Sequence, residues 1–356
     1  MIDVTHYMSI RAEPLEPLSL RYSGEHGVPS RGPAAMGIYG HLPLPSTWLG
    51  ALAYTACATL GKVSDGTLKC NYNLVKELLS CGDFWLRSSY LLIDGEPHVV
   101  LDGLLVKLRA EELAKYAAMK LAYVRGLKEE ARRLRRGFRS VRSLEFLGIG
   151  LVEGYKVPYR EPPGLLYVSG LTDYHALGTR RVLLACDLVV ESGRGAMGIT
   201  GIVRLGGERR FARLESSREA PMLESLMKLV ENPGYYWLVL ISSAILNLRL
   251  TTLSTLKPLG MTEIERGLGI EGVEAVVGKL AAIGLGFNEV KRIRRPLMIS
   301  LPPGSLIKAT VSEVESLVER GVGTGKWDEV DLRRLGYGTL ALVPAENVEQ
   351  LLPEDG

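Results

Sequence analysis

Leu42–Pro43–Leu44–Pro45–Ser46–Thr47–Trp48–Leu49–Gly50–Ala51–Leu52 is the stretch on which the reading turns. Two closely spaced prolines break regular structure, so the chain turns just ahead of Ser46. Ser46 carries an oxygen suited to an N-cap, and the apolar run behind it predicts a helix to about Leu60. A helix start presents unpaired backbone N–H groups and the positive end of the dipole, which suit a phosphate. A capped core helix that binds nothing has the same pattern, so function has to be read from the surrounding segments.

Upstream, residues 1–22 alternate as a strand with a turn at Glu13–Pro14. Residues 23–40 hold five glycines and two prolines, which predicts a long loop. Downstream, the expected elements are a helix over Asn73–Ser80, a strand over Phe84–Ile93, a hairpin turn at Asp94–Gly95 and its return over Pro97–Leu101. Apolar residues at helical spacing predict a helix over 110–136 whose end is dense in arginine. Strands follow at Leu144–Val152, Leu165–Ser169 and Arg181–Val190, before a glycine-rich stretch at 191–201. The second half predicts strands at Ile202–Leu205 and Arg210–Leu214, a helix over Ala220–Glu231 and a buried strand over 236–248. Beyond these come a helix over Val273–Ile283 and strands at Ile293–Ile299 and Ser305–Ala309. A helix over Val311–Glu319 with a Ser312–Glu315 capping box follows, and a strand at Leu340–Val343 ends the pattern. Helices and strands mix without regular βαβ alternation. The expected class is therefore α+β, with two tandem ferredoxin-like (RRM-like) domains spanning 1–195 and 196–356.

Composition narrows the functional classes. The 356 residues are 46% hydrophobic, enough for two packed cores, and 43 Lys and Arg face 40 Asp and Glu. A basic surface must therefore be local. Cys57, Cys70, Cys81 and Cys186 form no C-x-x-C pair and have no histidine at ligand spacing, which predicts buried thiols and no metal. No cofactor fingerprint is present. The N-terminus lacks a basic-then-apolar signal, and the apolar runs Trp48–Leu60 and Tyr236–Leu248 are too short to span a bilayer, so a cytoplasmic protein without membrane contact is expected. No Gly-x-Ser-x-Gly, His-Glu-x-x-His or paired-carboxylate motif occurs. His26 beside Arg31, or His41, could serve a metal-independent ribonuclease, and that enzyme is the alternative reading.

Four glycine-bearing segments allow close backbone approach: Gly206–Gly207 beside Arg209, Gly284–Leu285–Gly286, Gly321–Val322–Gly323–Thr324–Gly325–Lys326, and Gly336–Tyr337–Gly338. None is a Walker A loop, and each also fits an ordinary tight turn. Arg125, Lys128, Arg132, Arg133, Arg135, Arg136, Arg139 and Arg142 form a basic run opposed by Glu129 and Glu130. Such a run suits phosphates, or a solvated helix face. Phe138 could stack on a base or return to the core.

Taken in order, these segments resemble a known family. Pro45 to Leu52 resembles the first helix of RAMP proteins, the repeat-associated subunits of CRISPR complexes. Gly82 to Leu91, Leu147 to Leu151, Gly164 to Tyr167, Val203 to Glu208, Arg295 to Leu306 and Gly336–Tyr337–Gly338 resemble, in that order, the subfamily that holds the 5′ handle of the guide RNA in the type III-B Cmr effector complex. Gly286–Phe287–Asn288 departs from the Gly-Trp-Asp often found there. Residues 104–143 have no counterpart and are expected to be an inserted helical thumb or a subunit contact. The resemblance implies a non-catalytic antiviral subunit whose partners are the crRNA 5′ handle, the large polymerase-like subunit and a backbone RAMP subunit. The equivalent type III-A subunit remains an alternative. On this reading Ser46 and Thr47 contact a phosphate, and Arg31 and Arg87 clamp the backbone. Arg139 and Arg209 add positive charge, and Gly336 and Gly338 let the RNA pass close.

Overall fold

A computed structural model of the chain describes residues 6–23, 38–61, 63–64, 67–68, 72–149, 166–177, 181–193, 198–207, 210–230, 232–248, 260–285, 287–288, 293–294, 297–327 and 330–353. His26, Arg31 and Arg209 lie outside these residues. The core of the first half is an eight-stranded sheet. Its central strands run Phe211–Ser217, His6–Pro14, Val182–Gly193, Cys81–Ile93 across the sheet, all antiparallel. Numbered along the chain, that order is 4-1-3-2. The second half repeats it in a four-stranded sheet ordered Leu340–Pro344, Gly234–Leu240, Leu306–Val311, Val273–Val277. Helices Met261–Leu268 and Val314–Arg320 occupy its two crossovers, which is the β-α-β-β-α-β order of a ferredoxin-like unit. In the first half, helices Pro45–Thr59 and Tyr72–Leu79 fill the first crossover, and the described part of the second crossover holds the edge strand Thr200–Arg204. The α+β class is thus observed. Thr200–Arg204 and Phe211–Ser217 both hydrogen-bond within the first sheet, so that sheet continues past residue 195.

The region 104–143 is not a thumb. Leu104–Lys107 and Arg139–Ser140 extend the first sheet beyond Glu96–Leu101. Between them, helix Ala110–Val124 packs on strands Gly234–Leu240, Val273–Val277 and Leu340–Pro344 of the second sheet. Its residues Leu113, Tyr116, Ala117 and Leu121 recur at helical spacing and are all buried. Successive strand residues point to opposite faces, and Tyr236, Trp237, Leu238, Val239 and Leu240 are all buried, so both faces of the second sheet are covered. The helix is bolted at one end by polar contacts. Tyr116 Oη donates to Asp102 Oδ2 at 2.7 Å, and Lys120 Nζ donates to the Gly304 carbonyl at 2.6 Å.

Three further expectations are corrected. The helix expected over Val273–Ile283 is two strands, Val273–Val277 and Ala281–Gly284. The β-branched Val273, Val276 and Val277 accept the pairing offered by Leu306–Val311, and that pairing overrides a helical spacing that the sequence also permits. The helix from Val314 has Glu313 at its N-cap with no side-chain cap, so the Ser312–Glu315 capping box does not form. The helix expected over 110–136 breaks at Gly126, which adopts φ +79°, and resumes as Lys128–Arg135.

Between Cys186 and Leu188 the pairing of Val182–Gly193 with Cys81–Ile93 shifts register: Asp187 faces two residues, Arg87 and Ser88, so the irregularity lies in Cys81–Ile93, while Asp187 stays in regular register with Ser9 on the other side. Buried Asp187 accepts a hydrogen bond from Tyr90 Oη at 2.6 Å and one from Leu223 N–H at 2.8 Å. Burial outweighs these bonds and pushes its carboxyl up to about 7 from an ordinary 3.8. The folded chain therefore holds this proton more tightly than the unfolded chain. The contribution is full below the unfolded value and is lost as pH rises through the folded one, by up to ~1.4 kcal/mol per pH unit. In thermal unfolding followed by calorimetry, the wild-type midpoint should fall between about pH 5 and about pH 7 more steeply than that of Asp187→Asn. Equal slopes would show that Asp187 ionises freely in the fold.

Candidate nucleic-acid interface

Three segments far apart in sequence converge on one buried junction: the start of helix Pro45–Thr59, the middle of strand Cys81–Ile93, and the loop Gly336–Tyr337–Gly338. The helix starts two residues earlier than a Ser46 cap would place it. Leu44 is the N-cap, Pro45 occupies the first position as its fixed φ favours, and Ser46 sits inside the first turn without capping it. The freed Ser46 hydroxyl instead accepts a hydrogen bond from Tyr337 Oη at 3.2 Å. Two residues on, Trp48 is fully buried and its Nε1–H donates to Ser89 Oγ at 2.6 Å, while Ser89 donates to the Pro43 carbonyl. The turn, the helix and the strand are thereby locked together.

The glycine loop closes on the same strand. Ser88 N–H donates to Thr339 Oγ1 at 3.2 Å, and Thr339 Oγ1 donates to the Gly336 carbonyl at 3.0 Å. Ser242 Oγ donates to that carbonyl at 2.7 Å and accepts from Thr339 N–H at 2.9 Å. Gly336 has φ +93°, and a Cβ there would lie 2.8 Å from the Arg87 carbonyl carbon and oxygen. Gly338, at φ +75°, is equally pressed against the Val322 carbonyl. Both glycines are buried, and the close approach they permit is to the protein's own backbone.

Arg87 lies at the centre of this junction. It is 1% exposed, and its Nε and Nη1 have no hydrogen-bond partner among the described residues. Burial lowers its pKa to about 10, with the charges of Glu319 and Asp187 opposing that shift, so it remains a cation at neutral pH. Its guanidinium stands 5.6 Å from the centre of the Trp85 ring, and the Arg334 guanidinium stands 4.9 Å from the same ring. Arg334 also pairs with Asp83, which Lys76 approaches at 3.2 Å, and Arg333 binds Asp331 at 2.6 Å. Tyr7 Oη donates to Glu319 Oε1 at 2.9 Å nearby in the charge network. The result is a buried unpaired cation behind a half-exposed rim of Trp85, Arg333 and Arg334. An unpaired buried charge costs several kcal/mol, so an anion brought to it is held strongly.

Of the residues expected to bind RNA, Ser46, Thr47, Arg87, Gly336 and Gly338 are brought to this junction. Arg139 is not: it lies on the outermost strand, three places across the sheet from Cys81–Ile93, and donates to the Leu177 carbonyl at 2.5 Å. The loop Gly206–Gly207 is a tight turn whose Gly207 N–H donates to the Ser19 carbonyl at 2.7 Å. The segment at Gly323 packs on Ile245, with Thr324 N–H donating to its carbonyl at 3.1 Å. Of the candidate bases, His41 is half-buried with its Nδ1 3.2 Å from Thr172 Oγ1, and burial lowers its pKa. Trp85, Arg333 and Arg334 were missed, although the Arg333–Arg334 doublet just ahead of Gly336 was a usable signal. Among the described residues no helix is long and apolar enough to cross a membrane, and no three His, Cys, Asp or Glu are placed to hold a metal.

Residues 172–345 match the family model described as CRISPR-associated protein (Cas_Cmr3). Two solved chains share the fold across nearly the whole length. One comes from the cryo-EM structure of the Type III-B Cmr-beta bound to cognate target RNA, at 17% identity and TM-score 0.54, covering 94% of this chain and 99% of the other. The second comes from the same assembly with cognate target RNA and AMPPnP, at 16% identity and TM-score 0.52, covering 95% and 99%. The family match spans just under half of the chain, and the likeness to the two solved chains is one of fold. No curated protein matches the chain. The matched span contains Ser242 and the loop Gly336–Gly338 and excludes Ser46, Arg87 and Arg139. The matched span covers the second sheet together with Val182–Gly193, Thr200–Arg204 and Phe211–Ser217 of the first sheet, and the junction joins it to residues before 172.

Because Gly336 meets both a backbone clash and a left-handed φ, Gly336→Ala should cost about 3 kcal/mol in urea unfolding. Gly50 lies exposed in helix Pro45–Thr59 with open space around it, and Gly50→Ala should add up to about 1 kcal/mol. A neutral Gly336→Ala would mean that the loop does not press on the strand.

Proposed function

We propose that this protein is a non-catalytic subunit of a type III-B CRISPR effector complex that binds the 5′ handle of the crRNA at the junction around Arg87. It docks the large polymerase-like subunit and a backbone RAMP subunit in antiviral defence. The observation that carries the reading is the buried Arg87 guanidinium, whose Nε and Nη1 find no hydrogen-bond partner among the described residues, at a junction with the loop 336–338 inside the Cas_Cmr3 match. Arg333 and Arg334 meet the RNA backbone first, and Trp85 offers a face on which a splayed base or a guanidinium stacks. Behind them Arg87 holds the phosphates through a low-dielectric interior, where a charge acts more strongly than at the surface. Glycines 336 and 338 set the distance between this charge and the rim. Ser46 and Thr47 shape the helix start beside it.

The decisive experiment reconstitutes the chain with the large polymerase-like subunit and titrates single-stranded RNA carrying the repeat-derived 5′ handle against a scrambled handle. The true handle should bind preferentially, and the RNA should remain intact. Arg87→Met removes the charge and keeps most of the volume. It should lower handle affinity about tenfold or more while leaving unfolding stability unchanged or higher, because an uncompensated buried charge is removed. Equal affinity for both RNAs, or an Arg87→Met protein that binds the handle as tightly as wild type, would overturn the proposal. RNA cleavage abolished by His41→Ala would establish the ribonuclease instead, and selective assembly with type III-A partners would move the subunit to that complex.

A further inference from the structure

Residues 125–142 carry eight Lys or Arg and two Glu, a net +6, in a chain whose total is +3. The remainder of the protein is therefore net −3, and positive charge is concentrated on one surface. The fold places it on an outer edge. Helix Lys128–Arg135 is held down only by buried Ala131 and Leu134, and its other residues face solvent to varying degrees. Strand Arg139–Ser140 is the last of the eight-stranded sheet and is exposed along its length. Glu129 and Glu130 neutralise Arg132 at 2.6 Å and Arg133 through a close ion pair. Lys128, Arg135, Arg136 and Arg142 are exposed and make no ion pair among the described residues. Tyr123, 73% exposed, stands at the head of this surface and presents a free aromatic face. Phe138 does not contribute, because its ring packs edge-on to Tyr116 at 6.4 Å in the core.

We propose that the surface of residues 123–142 is a second contact for single-stranded RNA. It reads the phosphate backbone without regard to sequence and is separate from the junction around Arg87. Strand spacing puts the two surfaces roughly 14 Å apart across the sheet. An extended strand of RNA can therefore reach both. Arginines spaced along a helix and an edge strand offer donors to successive phosphates, and Tyr123 offers a stacking face that every base can use. The two glutamates limit the strength of the contact by holding two arginines in helical ion pairs.

The test uses the full chain and a fluorescein-labelled oligouridylate, with affinity measured across a salt series. A variant carrying Lys128→Gln, Arg135→Gln, Arg136→Gln and Arg142→Gln should reduce the slope of log affinity against log salt by about 3, since each phosphate neutralised contributes about 0.7. Glu129→Gln with Glu130→Gln should move the slope the other way, by about 1. Neither variant should alter the ratio of true-handle to scrambled-handle affinity. A slope unchanged in both variants would overturn the proposal. So would a fourfold variant that keeps its oligouridylate slope and loses association with the large subunit, because an acidic protein face would then be the occupant. Should wild type show no handle preference while both slopes shift as stated, the handle reading fails and this surface stands.

Discussion

Everything in the molecule is arranged around the contact between Gly336 and the carbonyl of Arg87, two backbones brought closer than any side chain permits. A glycine at a left-handed φ is the one residue that fits both demands at that point. The contact is reinforced by the hydroxyls of Ser242 and Thr339, which satisfy the Gly336 carbonyl from two directions. Those two residues belong to the second half of the chain, and Arg87 belongs to the first. A loop closing one ferredoxin-like sheet therefore becomes part of the wall of the other.

The same contact explains why a cation can sit unpaired in the interior. Arg87 sits where Cys81–Ile93 shifts register against Val182–Gly193, and the glycine loop packs against its backbone carbonyl. Asp187 and Glu319 favour its charge from a distance without forming a direct hydrogen bond with it. Buried charge without a local partner is unfavourable for stability, and a phosphate of the proposed RNA ligand would supply that partner. The polar rim of Arg333, Arg334 and Trp85 is built differently, from half-buried pairs of the two arginines with Asp331 and Asp83.

The helix Ala110–Val124 provides the second weld. By packing on the second sheet while its flanking strands extend the first, it leaves the two halves with a shared core. The arginine-rich helix that follows is consequently presented on a rigid edge rather than on an arm. Charge and scaffold are separated: Leu113, Tyr116, Leu121, Ala131 and Leu134 hold the platform, and the basic residues after Gly126 face outward.

Most elements were legible in the sequence because their signals are local. Prolines ahead of Ser46, the Asp94–Gly95 turn and the strand-forming run Phe84–Ile93 depend on neighbours a few residues away, and each marks the element found there. The α+β class followed from their order. The failures have one cause. Val273–Val277 suits either a helix or a strand until Leu306–Val311 offers its edge. Ser46 is a good cap until Pro45 starts the helix two residues sooner. Residues 104–143 read as an insertion because nothing in their own sequence names the sheet they cover. At the candidate site, the sequence by itself determined which residue types were available: an arginine on a strand, glycines in a loop, a proline-led helix. The tertiary structure alone decided that these meet, that the glycines face backbone and that Arg87 is buried with its Nε and Nη1 unsatisfied among the described residues. Distances between segments some 250 residues apart are set by packing of the whole chain, and no local pattern encodes them.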